Sequence, residues 1–211
     1  MDEFNSSLGV VLAITSDTAF LELEGVTNLA RAANALEASF TPAILVIAAT
    51  EMAAVLARQI LEAGSIRYEL LICEPTVPKL FAQALAPWLG HYDAIMIHDA
   101  SRPFTPPSQF DDVIAALEDD VDAVRPTIAF TETLKIVGND NVIVETLDRT
   151  SVTRIGTPEL IRVSAIDTEG QDCGWFLPLK SNARLHQIEG SPEGSRINTP
   201  ADRDLMELHS N

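Results

Sequence analysis

Cations, cysteines and long apolar runs are all scarce in this chain of 211 residues. It has 14 Lys and Arg against 31 Asp and Glu, which gives a formal net charge of −17 at pH 7. This balance argues against binding to nucleic acid or to an anionic membrane surface, because each phosphate contact requires a Lys or Arg. An anionic ligand must therefore be held by a local basic pocket, against the field of the whole chain.

The two cysteines, Cys73 and Cys173, are far apart, and neither belongs to a CxxC pair. Two free thiols in a reducing cytoplasm are expected from this pattern, rather than a disulfide or a zinc site. Charged residues or prolines interrupt the apolar runs, so no transmembrane helix is expected. Residues 1–7 are acidic, whereas a secretory signal begins with positive charge. We therefore predict a cytoplasmic protein.

Short apolar runs alternate with segments of helical periodicity along the first 117 residues. Runs of this length predict strands buried on both faces, and their alternation with helices predicts a parallel, doubly wound sheet. We expect one domain over residues 1–211, an α/β fold with three α/β/α layers of Rossmann-like type. The predicted strands are residues 9–14, 43–48, 68–73, 93–97 and 122–126, and the predicted helices are residues 26–38, 51–63, 79–89 and 107–117.

The sequence pattern changes after residue 130. Residues 133–137 and 142–146 alternate in polarity around the turn Gly138-Asn-Asp-Asn141, which predicts a β-hairpin. Such a hairpin is either a protruding arm, used for oligomerisation or as a lid, or an edge extension of the main sheet. Thr157-Pro158 and Thr199-Pro200 each place a hydroxyl before a proline, which is typical of a helix start.

One predicted strand ends in side chains that can do chemistry. The apolar run stops at His98-Asp99, Arg102 follows, and Pro103 cannot continue a central ladder. Ligands bind at the carboxyl ends of the strands in open α/β sheets. Asp99 suits a divalent metal or a hydroxyl, and Arg102 suits phosphate, which its planar fork can bind with paired hydrogen bonds. Alternatively, Asp99 and Arg102 pair with each other and close the strand.

Four segments match, in order, the motifs of one enzyme family. His98-Asp-Ala-Ser-Arg-Pro103 is close to HDAARP, and Thr131-Glu-Thr-Leu-Lys135 resembles DT-x-K. Asp148-Arg149 with Thr157-Pro158-Glu159 resembles DR…TPQ, with glutamate in place of glutamine. The tail from Glu189 to Asp202 resembles EG-x-x-x-NIKITTPED. The chain thus resembles the 2-C-methyl-D-erythritol 4-phosphate cytidylyltransferases, nucleotidyltransferases of the non-mevalonate isoprenoid pathway.

The resemblance implies three catalytic residues and one metal. Asp99 would lie beside magnesium and the nucleotide triphosphate, with Arg102 near the same site. Arg196 occupies the position of a family lysine that contacts the reacting phosphates, and it differs from lysine in presenting a fork rather than a point charge. Magnesium is expected if the protein is active, and no cofactor otherwise.

The resemblance also implies a substrate-binding set and a partner. Thr133, Arg149 and Thr157 would hold the phosphate of 2-C-methyl-D-erythritol 4-phosphate, or they only hold the arm and a helix cap in place. The arm, at about residues 130–155, is exchanged between subunits in the family, so a homodimer is expected. The expected ligand is a sugar phosphate or a nucleotide.

Two nucleotide-binding segments of the family are missing. Family members follow the first strand with AAGxGxR and a PK pair, whose N–H groups and cations hold the triphosphate. Here Ile14 is followed by Thr15-Ser-Asp-Thr18, which has no glycine, arginine or lysine. The segment GGxxRxxSV, which holds base and ribose, is replaced by Cys73-Glu-Pro-Thr-Val-Pro78, and the acidic TDDA is reduced to Gly170-Gln-Asp-Cys173.

Phosphoryl-group transfer depends almost entirely on positioning and electrostatic stabilisation. We therefore expect a degenerate cytidylyltransferase-like protein with weak or no CTP-dependent activity. The alternative is an active nucleotidyltransferase with an altered loop, acting on CTP and 2-C-methyl-D-erythritol 4-phosphate or another sugar or polyol phosphate. A third hypothesis is a purely structural role through an arm-mediated dimer.

Overall fold

The computed structural model describes residues 8–40, 43–170, 174–202 and 204. Strands and helices alternate along its first half, as the periodicity predicts. The α-helices are α1 (Asn28–Ser39), α2 (Glu51–Ala63), α3 (Pro78–Leu89) and α4 (Pro107–Ala115). The strands are β1 (Leu8–Ile14), β2 (Glu22–Leu23), β3 (Val26–Thr27), β4 (Ile44–Ala48), β5 (Tyr68–Ile72), β6 (Ala94–Asp99), β7 (Ala123–Ala129), β8 (Leu134–Val137), β9 (Ile143–Leu147), β10 (Thr153–Ile155), β11 (Glu159–Arg162) and β12 (Leu185–Glu189).

Eight strands form the main sheet, in the order β5-β4-β1-β6-β11-β7-β10, with β12 also paired to β7. Strands β5, β4, β1 and β6 are mutually parallel, so β1 lies at the centre of a doubly wound arrangement. Strand β11 is inserted antiparallel between β6 and β7. The α/β fold is confirmed, and the expectation of a wholly parallel sheet is wrong at β11 and at β10, which runs antiparallel to β7.

Two hydrophobic layers enclose the sheet. Helices α1, α2 and α4 pack on one face, where Leu29 and Phe110 are fully buried. Helix α3 covers the other face together with Trp175 and Leu177. Every residue of β1 is buried, which explains its continuous apolar sequence.

Helix α2 has the predicted bounds, from Glu51 to Ala63. The side chain of Thr50 accepts a hydrogen bond from the Ala53 N–H, 3.1 Å away, and so caps the helix. Helix α1 begins later than predicted, because Val26 and Thr27 belong to β3. None of the described helices is long and apolar enough to cross a membrane.

The predicted hairpin is formed by β8 and β9, which make a two-stranded sheet separate from the main one. The alternative of an edge extension of the main sheet is therefore wrong. Below, "the arm" denotes β8, β9 and their turn.

The two Thr-Pro pairs have different outcomes. Thr157-Pro158 is joined by a cis peptide bond and leads into β11, so the predicted helix start is wrong. Only four residues follow before the chain turns, and Leu160 and Ile161 are buried in the sheet. The Thr199-Pro200 prediction is confirmed at its start: the Asp202 N–H donates to Thr199 Oγ1 (3.2 Å), and the Thr199 N–H donates to the Asp202 carboxylate (2.9 Å). The rest of that helix, from Leu205 on, lies outside the described residues.

Candidate functional site

The carboxyl ends of β1 and β6 bring two polar segments together. The strands are parallel neighbours, with Ala13 opposite Asp99. Thr15, just beyond β1, donates its hydroxyl hydrogen to Asp99 Oδ1 at 2.8 Å. The parallel register thus places the end of β6 against the segment that replaces the family's glycine-rich loop.

Three donors surround the Asp99 carboxylate, which is only 4% exposed. Oδ1 accepts from the Thr15 hydroxyl (2.8 Å) and from the Ser101 N–H (2.9 Å), and Oδ2 accepts from Arg196 Nε (2.9 Å). The ion-pair partner of Asp99 is therefore Arg196. The alternative in which Asp99 pairs with Arg102 is wrong.

The Arg196 guanidinium connects three parts of the chain. Besides Asp99, it donates through Nη2 to Thr15 Oγ1 (2.9 Å) and Ser16 Oγ (3.4 Å). Its Nη1 donates to Asn198 Oδ1 at 2.7 Å. A planar group with five N–H donors can satisfy this set, whereas a lysine ammonium cannot span it.

The segment after β1 is a short 3-10 helix, Asp17–Phe20, closed onto the end of β6 by hydroxyl groups. Thr18 donates to Ser101 Oγ at 3.0 Å, and Ser16 lies 3.3 Å from the same oxygen. Asp17 is exposed. The polar groups offered here are hydroxyls and one carboxylate, in place of cations.

Arg102 is fixed by backbone oxygens rather than by a carboxylate. Its Nη1 donates to the carbonyl of Gly194 (2.8 Å) and its Nη2 to that of Ile155 (2.7 Å). Burial lowers the pKa of the guanidinium, although Asp99 nearby acts to raise it. Because both hydrogen-bond partners are uncharged carbonyl oxygens, the positive charge of Arg102 is available to a ligand.

Two adjacent cavities open beside these residues. The first, about 450 Å³, contains three guanidinium groups, and we name it the arginine cavity; it is lined by Arg102, Ile128, Thr153, Arg154, Ile155, Ser195, Arg196 and Asn198. The second, about 250 Å³, is the aromatic cavity, lined by Pro75, Thr76, Pro78, Asp99, Arg102, Ile155, Thr157, Glu159, Gly174, Trp175 and Phe176. Arg102 and Ile155 line both cavities.

A buried His98–Thr157 pair supports the floor of the site. The Nε2 of His98 lies 3.2 Å from the carbonyl of Arg102, which can only accept, so Nε2 carries the hydrogen. Nδ1 then accepts from the Thr157 hydroxyl at 2.9 Å. Burial lowers the pKa of His98 to about 4, so the ring is neutral at pH 7. Thr157 thus lies on the wall of the aromatic cavity, and its hydroxyl hydrogen is donated to His98.

Glu159 is a buried carboxylate on the wall of the aromatic cavity. It accepts from the Phe176 N–H (2.9 Å) and more weakly from Arg125 Nη1 (3.4 Å). Arg125 also donates to the carbonyl of Gly174 and lies 4.2 Å from the centre of the Trp175 ring. Burial raises the pKa of Glu159 to about 7, even though both donors act to lower it.

Thr133 and Arg149 are exposed residues at the two ends of the arm. Arg149 donates to the carbonyl of Thr131 at 2.6 Å, and neither residue lines the two cavities. Of the predicted residues, the structure thus brings Asp99, Arg102, Arg196 and Thr157 together. Thr133 and Arg149 lie outside this group.

Sequence reasoning missed Arg154 and assigned Glu159 no role beyond a departure from a motif. Arg154 lies on a short strand whose pairing with β7 is non-local, so no local pattern marks it. For Glu159, the signal was a carboxylate followed by two apolar residues that are buried in a strand.

Magnesium, implied by the family, does not fit the residues at this site. Mg²⁺ takes oxygen ligands in octahedral geometry, through one or two carboxylates and substrate phosphates. Asp99 has both oxygens engaged, one of them by a guanidinium. In the described part of the chain no group of three His, Cys, Asp or Glu could hold a metal ion.

Comparison with known sequences decides the family. Residues 7–173 match the family described as IspD, 2-C-methyl-D-erythritol 4-phosphate cytidylyltransferase. The chain belongs to the IspD family. The match covers β1, β6 and the arm, and it ends before Arg196.

Relatives within the IspD family differ in length. The chain is 29% identical over 203 residues to the 2-C-methyl-D-erythritol 4-phosphate cytidylyltransferase of Rhodococcus jostii, covering 92% of this chain and 87% of the relative. It is 30% identical over 128 residues to the bifunctional enzyme IspD/IspF of Oleidesulfovibrio alaskensis, covering 56% of this chain and 31% of that protein. The match to the Saccharopolyspora erythraea relative spans 53% of its length.

Solved structures share the fold at low identity. A 4-diphosphocytidyl-2C-methyl-D-erythritol synthase structure covers 97% of this chain with a TM-score of 0.77 and 16% identity. The synthase from Anaerococcus prevotii covers 98%, with a TM-score of 0.76 and 16% identity. Each alignment spans 99% of the solved chain. These likenesses confirm the IspD-type α/β fold.

Proposed function

We propose that this IspD-family protein binds a sugar or polyol phosphate at the arginine cavity and has weak or no CTP-dependent cytidylyltransferase activity. The observation that carries the proposal is the segment after β1. It offers hydroxyls and Asp17 where a triphosphate requires cations, and it is hydrogen-bonded to Ser101 and Arg196.

The arginine cavity supports the anion-binding half of the proposal. Arg102, Arg154 and Arg196 line it, and no carboxylate is among its lining residues. Among the described residues, Arg102 and Arg154 have no ion-pair partner, and Arg154 lies 5.9 Å from the centre of the Phe130 ring. In a chain of net charge −17, such a concentration of positive charge is a local basic pocket of the kind that an anion requires.

The aromatic cavity supports a polyol as the rest of the ligand. Glu159 provides acceptor oxygens on its wall, and Trp175 provides an apolar surface. Because the two cavities meet at Arg102, a phosphate in one and its hydroxylated chain in the other form a continuous ligand.

Loss of the nucleotide segment supports the low-activity half. Removing one donor that stabilises transition-state charge costs on the order of 10²- to 10³-fold in rate. The segment after β1 lacks several such donors at once, so little turnover is expected. The alternative is an active nucleotidyltransferase using CTP and 2-C-methyl-D-erythritol 4-phosphate or another sugar or polyol phosphate.

Two measurements on the full chain test the proposal. We expect 2-C-methyl-D-erythritol 4-phosphate or glycerol 3-phosphate to raise the melting temperature, since a ligand at a hundred times its dissociation constant stabilises a fold by about 2.7 kcal/mol. We expect Arg154→Gln to weaken that shift, with Arg184→Gln, on a different surface, as the matched control. Pyrophosphate release from CTP at rates typical of enzymes would refute the low-activity half and support the alternative.

The arm is the feature that we propose as the dimer contact. Ile136, Val137, Ile143 and Val144 are 41–64% exposed, and exposed apolar side chains grouped on one element are typical of a protein–protein contact. Thr133 and Arg149 line neither the arginine cavity nor the aromatic cavity, and a second copy is the partner that we propose for them. We propose a cytoplasmic homodimer, the location resting on the free thiol of Cys73.

A further inference from the structure

Asp99 is the carboxylate that a divalent metal would need at this site, and it is already bound to a cation of the protein itself. We propose that the guanidinium of Arg196 replaces the divalent cation, so that the protein binds its phosphorylated ligand without a metal. The ligand part rests on the proposed function. The statement about the metal rests on the contacts of Asp99 and on the charges around it, and is independent of the proposed function.

The hydrogen bonds of Asp99 leave little for a metal to bind. A carboxylate has about four lone-pair sites. Three are taken, by Thr15, Ser101 and Arg196, at 2.8–2.9 Å. The one remaining site is on Oδ2, beside the Arg196 guanidinium, whose positive charge repels a metal ion there and whose charge-assisted contact is of nearly ideal length.

The surrounding charges also oppose a metal. Arg102 and Arg154 line the same cavity as Arg196, and no carboxylate is among its lining residues, whereas Asp99 lines the neighbouring cavity. Glu159, the other carboxylate of the neighbouring cavity, is held by Arg125 and by the Phe176 N–H. The local charge that an approaching Mg²⁺ meets is therefore positive.

Arg196 is held in a position where its positive charge can stabilise a bound phosphate, as a metal ion would. Its Nε neutralises Asp99, and its other nitrogens are held by Thr15, Ser16 and Asn198, while the side chain lines the arginine cavity. The positive charge is therefore in place before a ligand arrives. Positions of this kind are those in which a fixed charge stabilises a phosphate most effectively.

Manganese binding followed by electron paramagnetic resonance tests the metal part directly. With the full wild-type chain, we expect added Mn²⁺ to remain free in solution. In Arg196→Gln, which frees Oδ2 and removes one positive charge, we expect Mn²⁺ binding to appear. It should disappear again when Asp99→Asn is added.

Stoichiometric Mn²⁺ binding by the wild type that Asp99→Asn abolishes would overturn the proposal. If circular dichroism shows that Arg196→Gln is unfolded, Arg196→Lys is the second variant. It keeps the charge and loses the fork, so Mn²⁺ should remain free. Binding of Mn²⁺ to this variant would also contradict the assigned role, because the charge alone should exclude the metal.

Calorimetric titration with glycerol 3-phosphate tests the ligand part. We expect equal dissociation constants in magnesium chloride and in EDTA. A tightening of about tenfold by magnesium, equivalent to 1.4 kcal/mol, would refute metal-independent binding. Absence of binding in both buffers would refute the proposed function instead, and the manganese result would still decide whether Arg196 replaces the metal.

Discussion

Replacing Glu159 with glutamine should change the pH dependence of stability in a defined window. The pKa of Glu159 rises from an ordinary value of 4.5 to about 7 in the folded protein. Between those values the folded state holds a proton that the unfolded state has released, so the free energy of unfolding falls as pH rises. At 1.36 kcal/mol for each pKa unit, the loss is about 3 kcal/mol.

His98 has the opposite effect in an overlapping window. Its pKa falls from 6.5 to about 4 on burial, so the unfolded state binds the extra proton and stability is lost as pH falls through this range. The magnitude is again about 3 kcal/mol. The two effects nearly cancel between pH 4.5 and 6.5 in the wild type. Glu159→Gln should leave only the His98 effect, a stability that rises with pH.

Urea denaturation at a series of pH values, from 4 to 8, measures this difference. The free energy of unfolding of Glu159→Gln minus that of the wild type should increase by about 3 kcal/mol between pH 4.5 and 7. The comparison uses the change in the free energy of unfolding with pH. A pH-independent cost of placing an amide beside Arg125 therefore does not affect the result. Parallel curves for the two proteins would show that Arg125 keeps Glu159 ionised throughout, and would refute the reasoning.

Three further changes test the packing, a helix cap and the arm. Gly9→Ala places a Cβ 2.7 Å from the Trp88 ring and should cost about 1–3 kcal/mol in urea denaturation; Gly90→Ala, where a Cβ meets nothing within 4 Å, is the control and should change little. Thr50→Ala removes the cap of α2 and should lower the free energy of unfolding by about 1 kcal/mol, which a thermal unfolding experiment measures as a lower midpoint. Val144→Asp, on the exposed arm, should convert the proposed dimer to a monomer by light scattering without lowering stability; an unchanged mass would exclude the arm as the contact.

The α/β core was predictable because burial on both faces of a strand leaves a continuous apolar run. Strands β1, β4 and β6 have no exposed position, and each appears in the sequence as such a run. The helices between them carry apolar residues at helical spacing, and Thr50 marks a start that the structure reproduces. These signals are local, so they need no knowledge of which strands pair.

The antiparallel strand β11 was not predictable in the same way. Its four residues follow Thr157-Pro158, which by local chemistry is equally typical of a helix start. What makes it a strand is the space between β6 and β7, where Leu160 and Ile161 are buried. The short β2–β3 hairpin was also missed, although Glu24 and Gly25, both with positive φ, form its turn.

At the site, the residue types were predictable and their pairing was not. Asp99 was marked by its position at a strand end, and Arg102 lay near enough in sequence to be its natural partner. The structure pairs Asp99 with Arg196 instead, 97 positions away. Either arginine has the right chemistry, and only the path of the C-terminal segment decides between them.

The hydroxyl-rich segment after β1 and the arginine at position 196 both depart from the family pattern, and the Arg196 side chain connects them. A guanidinium placed on Asp99 has further N–H groups to satisfy, and Thr15 Oγ1 and Ser16 Oγ accept two of them. Glycines at those positions would offer no side-chain acceptor. A lysine in place of Arg196 would have no fork to reach them. The hydroxyl segment after β1 and the arginine near the C-terminus therefore belong together.

This connection can be measured as a coupling free energy. Arg196→Lys should destabilise the wild type more than it destabilises a variant in which Thr15 and Ser16 are both glycine, because the acceptors are already gone. A double-mutant cycle from urea denaturation should give a coupling of about 0.5–3 kcal/mol, as is typical of residues in one hydrogen-bond network. A coupling near zero would mean that the two departures are independent, and that the segment after β1 is not held by the guanidinium.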